Sequence, residues 1–314
     1  MAGTLASQNG DFMTTPSPLS RPATTPAASA RRTRTRREGP GSRLWRVVVW
    51  GAMLFFLVNV GLMIATVAMN SFATRWFGTP LPEGFTLHWY AQAWRDFQLA
   101  DVLWVTLEVV GAVVVLSIAL GVPAAYALAR AQFPGKRLAM LVFLLPLMVP
   151  PVTYGIPMAT VLYKVGLGGT LAGVILANLV PSLPFVILVM TPFIEQIDPN
   201  LEAAARIFGA NTLKYFRHVL LPLLVPGILA AGLLVLVRTI GMFELTFFTA
   251  GPDTQTLVVA LYYAVFSTGV RAPQSIDAMA MIYMAITLLW VLIALQFVSP
   301  TQLVSRVKEA PKGE

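Results

Sequence analysis

The sequence predicts an all-α polytopic membrane protein with six transmembrane helices and a short helical loop on the inner side. Three observations predict it. Six apolar runs are each long enough to cross roughly 30 Å of hydrocarbon at about 1.5 Å rise per residue. The 314-residue chain is 57% hydrophobic and only 11% charged, with a mean hydropathy of +0.73, too little charge to cover a water-exposed domain of that size. Lys and Arg gather in alternate loops.

Residues 1–42 are rich in Ser, Thr, Pro, Ala and Arg and read as a disordered basic cytoplasmic tail. Its Arg31, Arg32, Arg34, Arg36 and Arg37 suit an anionic inner leaflet, which accounts for much of the +8 formal charge without a nucleic-acid partner. Residues 43–70 form the first transmembrane helix, 71–306 the membrane core, and 307–314 a cytoplasmic C-terminal tail. The apolar runs cover residues 47–69, 102–129, 138–162, 171–193, 223–248 and 278–298. The absence of cysteine excludes disulfide and thiolate chemistry.

Orientation follows from the basic residues. With the N-terminus inside, the inner side receives Arg43 and Arg46, then Arg130, Lys136 and Arg137, then Arg206, Lys214 and Arg217, then Arg306, Lys308 and Lys312. The outer side receives Arg75, Arg95, Lys164 and Arg271. This positive-inside pattern places both termini in the cytoplasm. The outer segment 70–101 carries Trp76, Phe77, Trp89, Tyr90 and Trp94, rings suited to headgroup depth.

Between the fourth and fifth runs lies a charged interruption. Asp198 supplies an N-cap, Pro199 a first helical position, and Glu202 an acid near the positive helix end. Glu202 and Arg206 stand four apart, and Leu201, Ala204, Ala205 and Phe208 form the apolar face. Gly209 stops the helix; Asn211 caps a second one carrying Lys214, Tyr215, Phe216, Arg217 and His218. Leu221-Pro222 and Pro226 mark re-entry into the membrane.

This spacing resembles the inner-membrane permeases of binding-protein-dependent ABC importers. Their cytoplasmic loop reads Glu-Ala-Ala, three residues, Gly, nine residues, an aliphatic residue, any residue, then Leu-Pro. Ala204-Ala205, Gly209, Val219 and Leu221-Pro222 match, within a resemblance that spans residues 71–306. The acidic position falls on Ala203, and Glu202 lies one residue earlier, a shift of about 100° around a helix. The resemblance implies a coupling helix that docks on a cytoplasmic ATPase through Glu202, Ala204, Ala205, Phe208 and Gly209, with Leu221 and Pro222 as the joint to the fifth span. It further implies two ATPase subunits, a second permease that is homologous or identical, an external solute-binding protein, and a place in the bacterial inner membrane among lipid. The chain itself needs no cofactor; the partner uses ATP.

Candidate path residues follow from defects in the spans. Pro146, Pro150 and Pro151 interrupt the third span and Pro181 and Pro184 bend the fourth, defects that lipid tolerates where protein or a polar cavity re-satisfies the backbone. Glu108, Arg238 and Glu244 are ionisable residues within spans. The candidate path comprises Pro150, Pro151, Tyr154, Phe243, Glu244 and Phe247, with Glu244 either lining it or pairing with the second permease. The segment 198–209 and the run Leu145 to Pro151 lean towards the polyamine, ferric-ion and phosphonate permeases, hence a polyamine or other charged solute. A sugar is the alternative, and a membrane enzyme or sensor scaffold the reading from another class. His88 and His218 fall on opposite sides of the membrane, and neither a phosphate-binding Gly-Lys-Ser/Thr loop nor an HExxH pair occurs.

Overall fold

The computed structural model describes residues 40–267 and 271–297. Residues 1–39, with the arginine cluster, and the C-terminal basic residues Arg306, Lys308 and Lys312 lie outside the described residues. The chain divides into two units, 1–56 and 57–314. The described part of the first is the opening of α1 (Pro40–Phe72), whose side chains from Leu44 to Phe56 are exposed. The second contains everything discussed below.

The elements after α1 are α2 (His88–Asp96), α3 (Leu99–Arg130), α4 (Lys136–Met148), α5 (Pro151–Lys164), α6 (Leu171–Glu195), α7 (Asn200–Ile207), α8 (Thr212–Tyr215), α9 (Leu221–Ile240), α10 (Glu244–Thr249), α11 (Leu257–Phe266) and α12 (Pro273–Phe297). Among the described residues, five helical stretches are long and apolar enough to cross a membrane, six if α4 and α5 count as one broken span. The all-α polytopic class stands, and so does a count consistent with six.

The third span is interrupted, as its prolines predict, and the fifth ends earlier than its apolar run. The third is two helices set at 98°. Pro150 and Pro151 offer no N–H to the preceding turn, and a residue before proline is driven from the helical region; Val149 accordingly sits at φ −91°, ψ 133°. Pro146, by contrast, lies inside α4 without breaking it. The fifth span ends at Ile240, eight residues before its apolar run does, because Gly241 terminates α9 and a new short helix begins at Glu244. Hydropathy missed the break because Met242 and Phe243 continue the apolar run. α6 passes through Pro181, Pro184 and Pro192 as a single helix.

α3, α6 and α9 enclose the main core, with Val109, Val113, Val186, Met190, Leu224 and Val235 all buried. The helices approach closely because small residues stand at the crossings: a Cβ on Gly121 would lie 2.7 Å from Val186 Cγ1, and one on Gly232 2.9 Å from Ile118 Cδ1. At the C-terminal end of α1, Asn70 donates to Asp277 at 2.5 Å, the Ser71 and Tyr90 hydroxyls meet at 2.9 Å, and Trp89 Nε1 donates to the Ala73 carbonyl at 2.7 Å. These bonds tie the end of α1 to α2 and α12.

Gly121→Ala should lower the thermal midpoint of the detergent-purified protein, through a steric penalty of about 1–3 kcal/mol. Gly111→Ala, where a Cβ meets nothing within 4 Å, should leave it unchanged or raise it slightly. Equal effects of the two substitutions would contradict the packing described.

Candidate functional site

The loop between α6 and α9 begins at Gln196, where α6 ends. The Asp198 carboxylate accepts from the Asn200 N–H at 2.9 Å, and Pro199 has helical dihedrals, so Asp198 caps α7 although the regular helix starts at Asn200. At the other end Gly209 adopts φ +80°. Its N–H bonds the Arg206 carbonyl at 3.0 Å while the Ala210 N–H reaches Ala205 at 3.0 Å, the paired bonds of a Schellman stop. A Cβ on Gly209 would meet nothing within 4 Å, so its dihedral, not crowding within this chain, asks for glycine. Asn211 then accepts from the Lys214 N–H at 2.8 Å and caps α8.

Re-entry is also fixed by backbone chemistry. Pro222 has no N–H for the His218 carbonyl, and its ring crowds that turn. The helix therefore widens to a π-turn over Phe216–Leu220, with the Leu221 N–H reaching back five residues to Phe216. Leu221 and Pro222 thus form the hinge-like junction with α9.

The two sides of the loop differ sharply in burial. Tyr215 and Leu220 are buried, and Ala205, Phe216 and Val219 pack against the main core. Ile207 and Phe208 are 84% and 90% exposed; Leu201, Ala204 and Gly209 are exposed too. The expected face of Leu201, Ala204, Ala205 and Phe208 is therefore divided: Ala205 turns to the body, and Ile207 joins the outward patch. The Glu202 side chain, and with it the expected pair to Arg206, lies outside the described residues. Arg130, at the end of α3, donates to the Ile197 carbonyl, and Tyr126 meets Phe216 edge-on at 6.4 Å, so α3 grips both ends of the loop.

The candidate path residues cluster around α10. Pro150 leaves the Pro146 carbonyl without its usual donor, and the Tyr154 hydroxyl points back at it from 3.5 Å, too far for a strong bond. One turn of α5 presents Gly155, where a Cβ would lie 3.1 Å from Phe248 and 3.2 Å from Leu245 of α10. On the opposite flank, buried Asn178 of α6 donates to Thr246 of α10 at 3.1 Å and to the Val174 carbonyl at 2.9 Å, leaving its own Oδ1 without a partner. Phe243 and Phe247 stack at 5.1 Å, and half-buried Glu244 opens α10. Arg238 and Glu244 stand on separate helices, α9 and α10, and the Arg238 guanidinium sits 5.5 Å from the Phe185 ring centre. Glu108 is exposed on α3 and takes no part.

Sequence reasoning missed Asn178 and Thr246 because it searched the spans for ionisable groups. A neutral amide in an apolar helix was the available signal. Among the described residues no group of three or more His, Cys, Asp or Glu is placed to hold a metal ion.

A family model described as the binding-protein-dependent transport system inner membrane component matches residues 117–309, more than half the chain. The trehalose transport system permease protein SugB of Mycobacterium tuberculosis is 30% identical over 196 residues, covering 61% of this chain and 72% of that one. A probable molybdenum ABC transporter permease of Haloferax volcanii is 35% identical over 165 residues, covering 50% of this chain and 61% of that one. The fold is similar to a chain of a bacterial ABC transporter involved in import of the acidic polysaccharide alginate, with a TM-score of 0.69 and 18% identity over 82% of this chain and 98% of that one. The names of these relatives do not follow the leaning towards polyamine, ferric-ion and phosphonate permeases.

Gly209→Val should accelerate hydrogen exchange at the Gly209 and Ala210 amides, because a β-branched residue resists φ +80°. Gly209→Asn should do so far less. Equal protection in all three proteins would show that the stop does not depend on glycine.

Proposed function

The chain belongs to the family of binding-protein-dependent transport system inner membrane components, and we propose that α7 is the lever through which a cytoplasmic ATPase drives its conformational change. It is the multi-pass membrane permease component of an ABC importer for a solute delivered by an external binding protein, and catalysis belongs to another subunit. The observation that carries the lever reading is the exposed pair Ile207 and Phe208 on a helix fixed at both ends by Asp198 and Gly209. Two large apolar side chains held rigidly out from the body are an anchor for a partner's pocket, and exposed Ala204 beside them allows close approach. Ala205, Leu221 and Pro222 then transmit the contact into the core, and Glu202 lies on the same helix.

The assembly we infer has two ATPase subunits and two permeases, with the termini of this chain in the cytoplasm. ATP binding and hydrolysis bias two membrane conformations, and the solute crosses between them around α10 without covalent change. We place a sugar ahead of a polyamine as the solute class, because the trehalose permease is similar over most of its length. The molybdenum relative supports an oxyanion as the second reading.

Ile207→Ala with Phe208→Ala should reduce co-purification of the ATPase at least roughly tenfold, as loss of about 1.4 kcal/mol or more requires. Coupled uptake should fall with it. Undiminished recruitment and uptake in the double variant would sink the lever proposal.

The lack of native cysteine makes orientation directly measurable. A cysteine replacing Leu213 should react with a membrane-impermeant maleimide only from the cytoplasmic side, and one replacing Phe77 only from outside. Reversed labelling would invert the topology.

A further inference from the structure

Six rings form one connected network across α10 and α11. Phe247 is its hub, lying 5.1 Å from Phe243, 5.6 Å from Phe248, 5.2 Å from Tyr262 and 5.7 Å from Tyr263. Tyr262 extends it, 4.9 Å from Phe243 and 4.6 Å from Phe266. None of the six is buried: Phe243, Phe247, Phe248 and Tyr262 are half-buried, while Tyr263 and Phe266 are exposed. The rings are therefore left partly uncovered by this chain instead of filling its core.

Resting on the importer reading above, we propose that this aromatic shelf is a solute-stacking surface and that its solute is a neutral saccharide. Phe243, Phe247, Tyr262 and Phe266 supply the stacking faces, and Glu244 with the tyrosine hydroxyls supplies the polar contacts. Two observations select that chemistry. First, no hydrogen bond within the described residues engages the Tyr262 or Tyr263 hydroxyl, and a phenol in a membrane protein favours a polar neighbour over hydrocarbon. The shelf thus suits a ligand with both apolar and hydroxylated faces, which a pyranose ring has. Second, α10 and α11 together contain one acid, Glu244, and no Lys, Arg or His. Neither helix supplies a cation to an oxyanion, and a polycation finds a single carboxylate on them. An uncharged ligand needs no counter-charge here, whereas a multiply charged one lacks a matching set of charges on these two helices.

Most of the shelf became visible only in the structure. Tyr262 and Phe266 are separated in sequence from Phe243 and Phe247 by the turn around Gly251 and Pro252. Folding sets α11 beside α10 and joins the two sets of rings.

The test uses the complete importer, with its binding protein and ATPase, reconstituted in proteoliposomes and supplied separately with trehalose, spermidine and molybdate. Wild type should accumulate trehalose and neither charged probe. Phe247→Ala and Tyr262→Ala should each lower initial trehalose uptake about tenfold, the upper end of a stacking contact. Both should still co-purify with the ATPase, and Phe247→Trp should keep most of the uptake. Uptake of spermidine or molybdate in place of trehalose overturns the solute class while leaving the importer reading intact. Unaltered trehalose uptake in both alanine variants overturns the shelf. Loss of assembly in both, with Phe247→Trp also lost, assigns these rings to a subunit contact and overturns it equally. A wild-type complex without ATP-dependent uptake of any probe defeats the saccharide proposal; failure to recruit the ATPase as well would defeat the importer reading.

Discussion

Every feature of interest here answers to one constraint: within hydrocarbon a backbone N–H or C=O must find its partner inside the protein. Continuous helices meet it automatically. Where the chain departs from a continuous helix, something else must hold the segment. The departures in this protein are the break before Pro150 and Pro151, the interval between Ile240 and Glu244, and the π-turn ahead of Leu221. Each adjoins a candidate functional residue, and each is braced from outside its own segment or widened into another helical form. Tyr154 turns back towards the break in the third span; Asn178 braces α10 through Thr246; the Leu221 N–H reaches Phe216 at the π-turn. Irregular backbone is costly enough in this solvent that its survival marks places where the protein needs shape more than regularity.

The parts of the structure legible in the sequence are those governed by short-range chemistry. The Asp198 cap, the Gly209 stop and the Asn211 cap depend on groups within a few residues of one another, and all three form with the expected geometry. Long apolar runs likewise announce membrane helices. Hydropathy alone could not find the end of α9, because Met242 and Phe243 are as apolar as the helix before them. Nor could proline content separate Pro146, Pro181 and Pro184, which remain within helices, from the Pro150-Pro151 pair, which ends one. Two consecutive residues without N–H and a forced extended residue before them make the difference. The division of α7 was illegible for another reason. Ala204 and Ala205 are the same residue type, and only packing against the main core decides which is partly covered.

On the lever proposal, the placement of the loop lets a contact made in water act on groups in the membrane. α6 carries Asn178 in its first half and leads at its C-terminal end into Ile197, whose carbonyl is gripped by Arg130 of α3. Asn178 and Glu195 are seventeen residues apart, about 26 Å along a helix. Three prolines remove hydrogen bonds along that length, yet α6 stays one element because it is enclosed by α3 and α9. On the lever proposal, force applied at Phe208 reaches a braced helix, not a free loop. The opposite end of that helix holds α10, where Phe243, Glu244 and Phe247 meet the rings of α11.

The proposed cycle has to work within this packing. The α3, α6 and α9 core is packed at contact distance through Gly121, Gly227 and Gly232 and has little room to deform. α10 is a six-residue helix held close at Gly155 on one flank and bonded to Asn178 on the other, with Leu245, Thr246 and Thr249 buried and the Thr249 carbonyl accepting from the Gly169 N–H at 2.9 Å. Moving it against its neighbours would uncover apolar surface and break these bonds together, in a solvent that supplies no replacement. On the lever and shelf proposals, therefore, α10 shifts with α5 and α6 and carries Phe243 and Phe247 along, so that a displacement begun at Phe208 reaches the rings through packed helices and not through a loose segment.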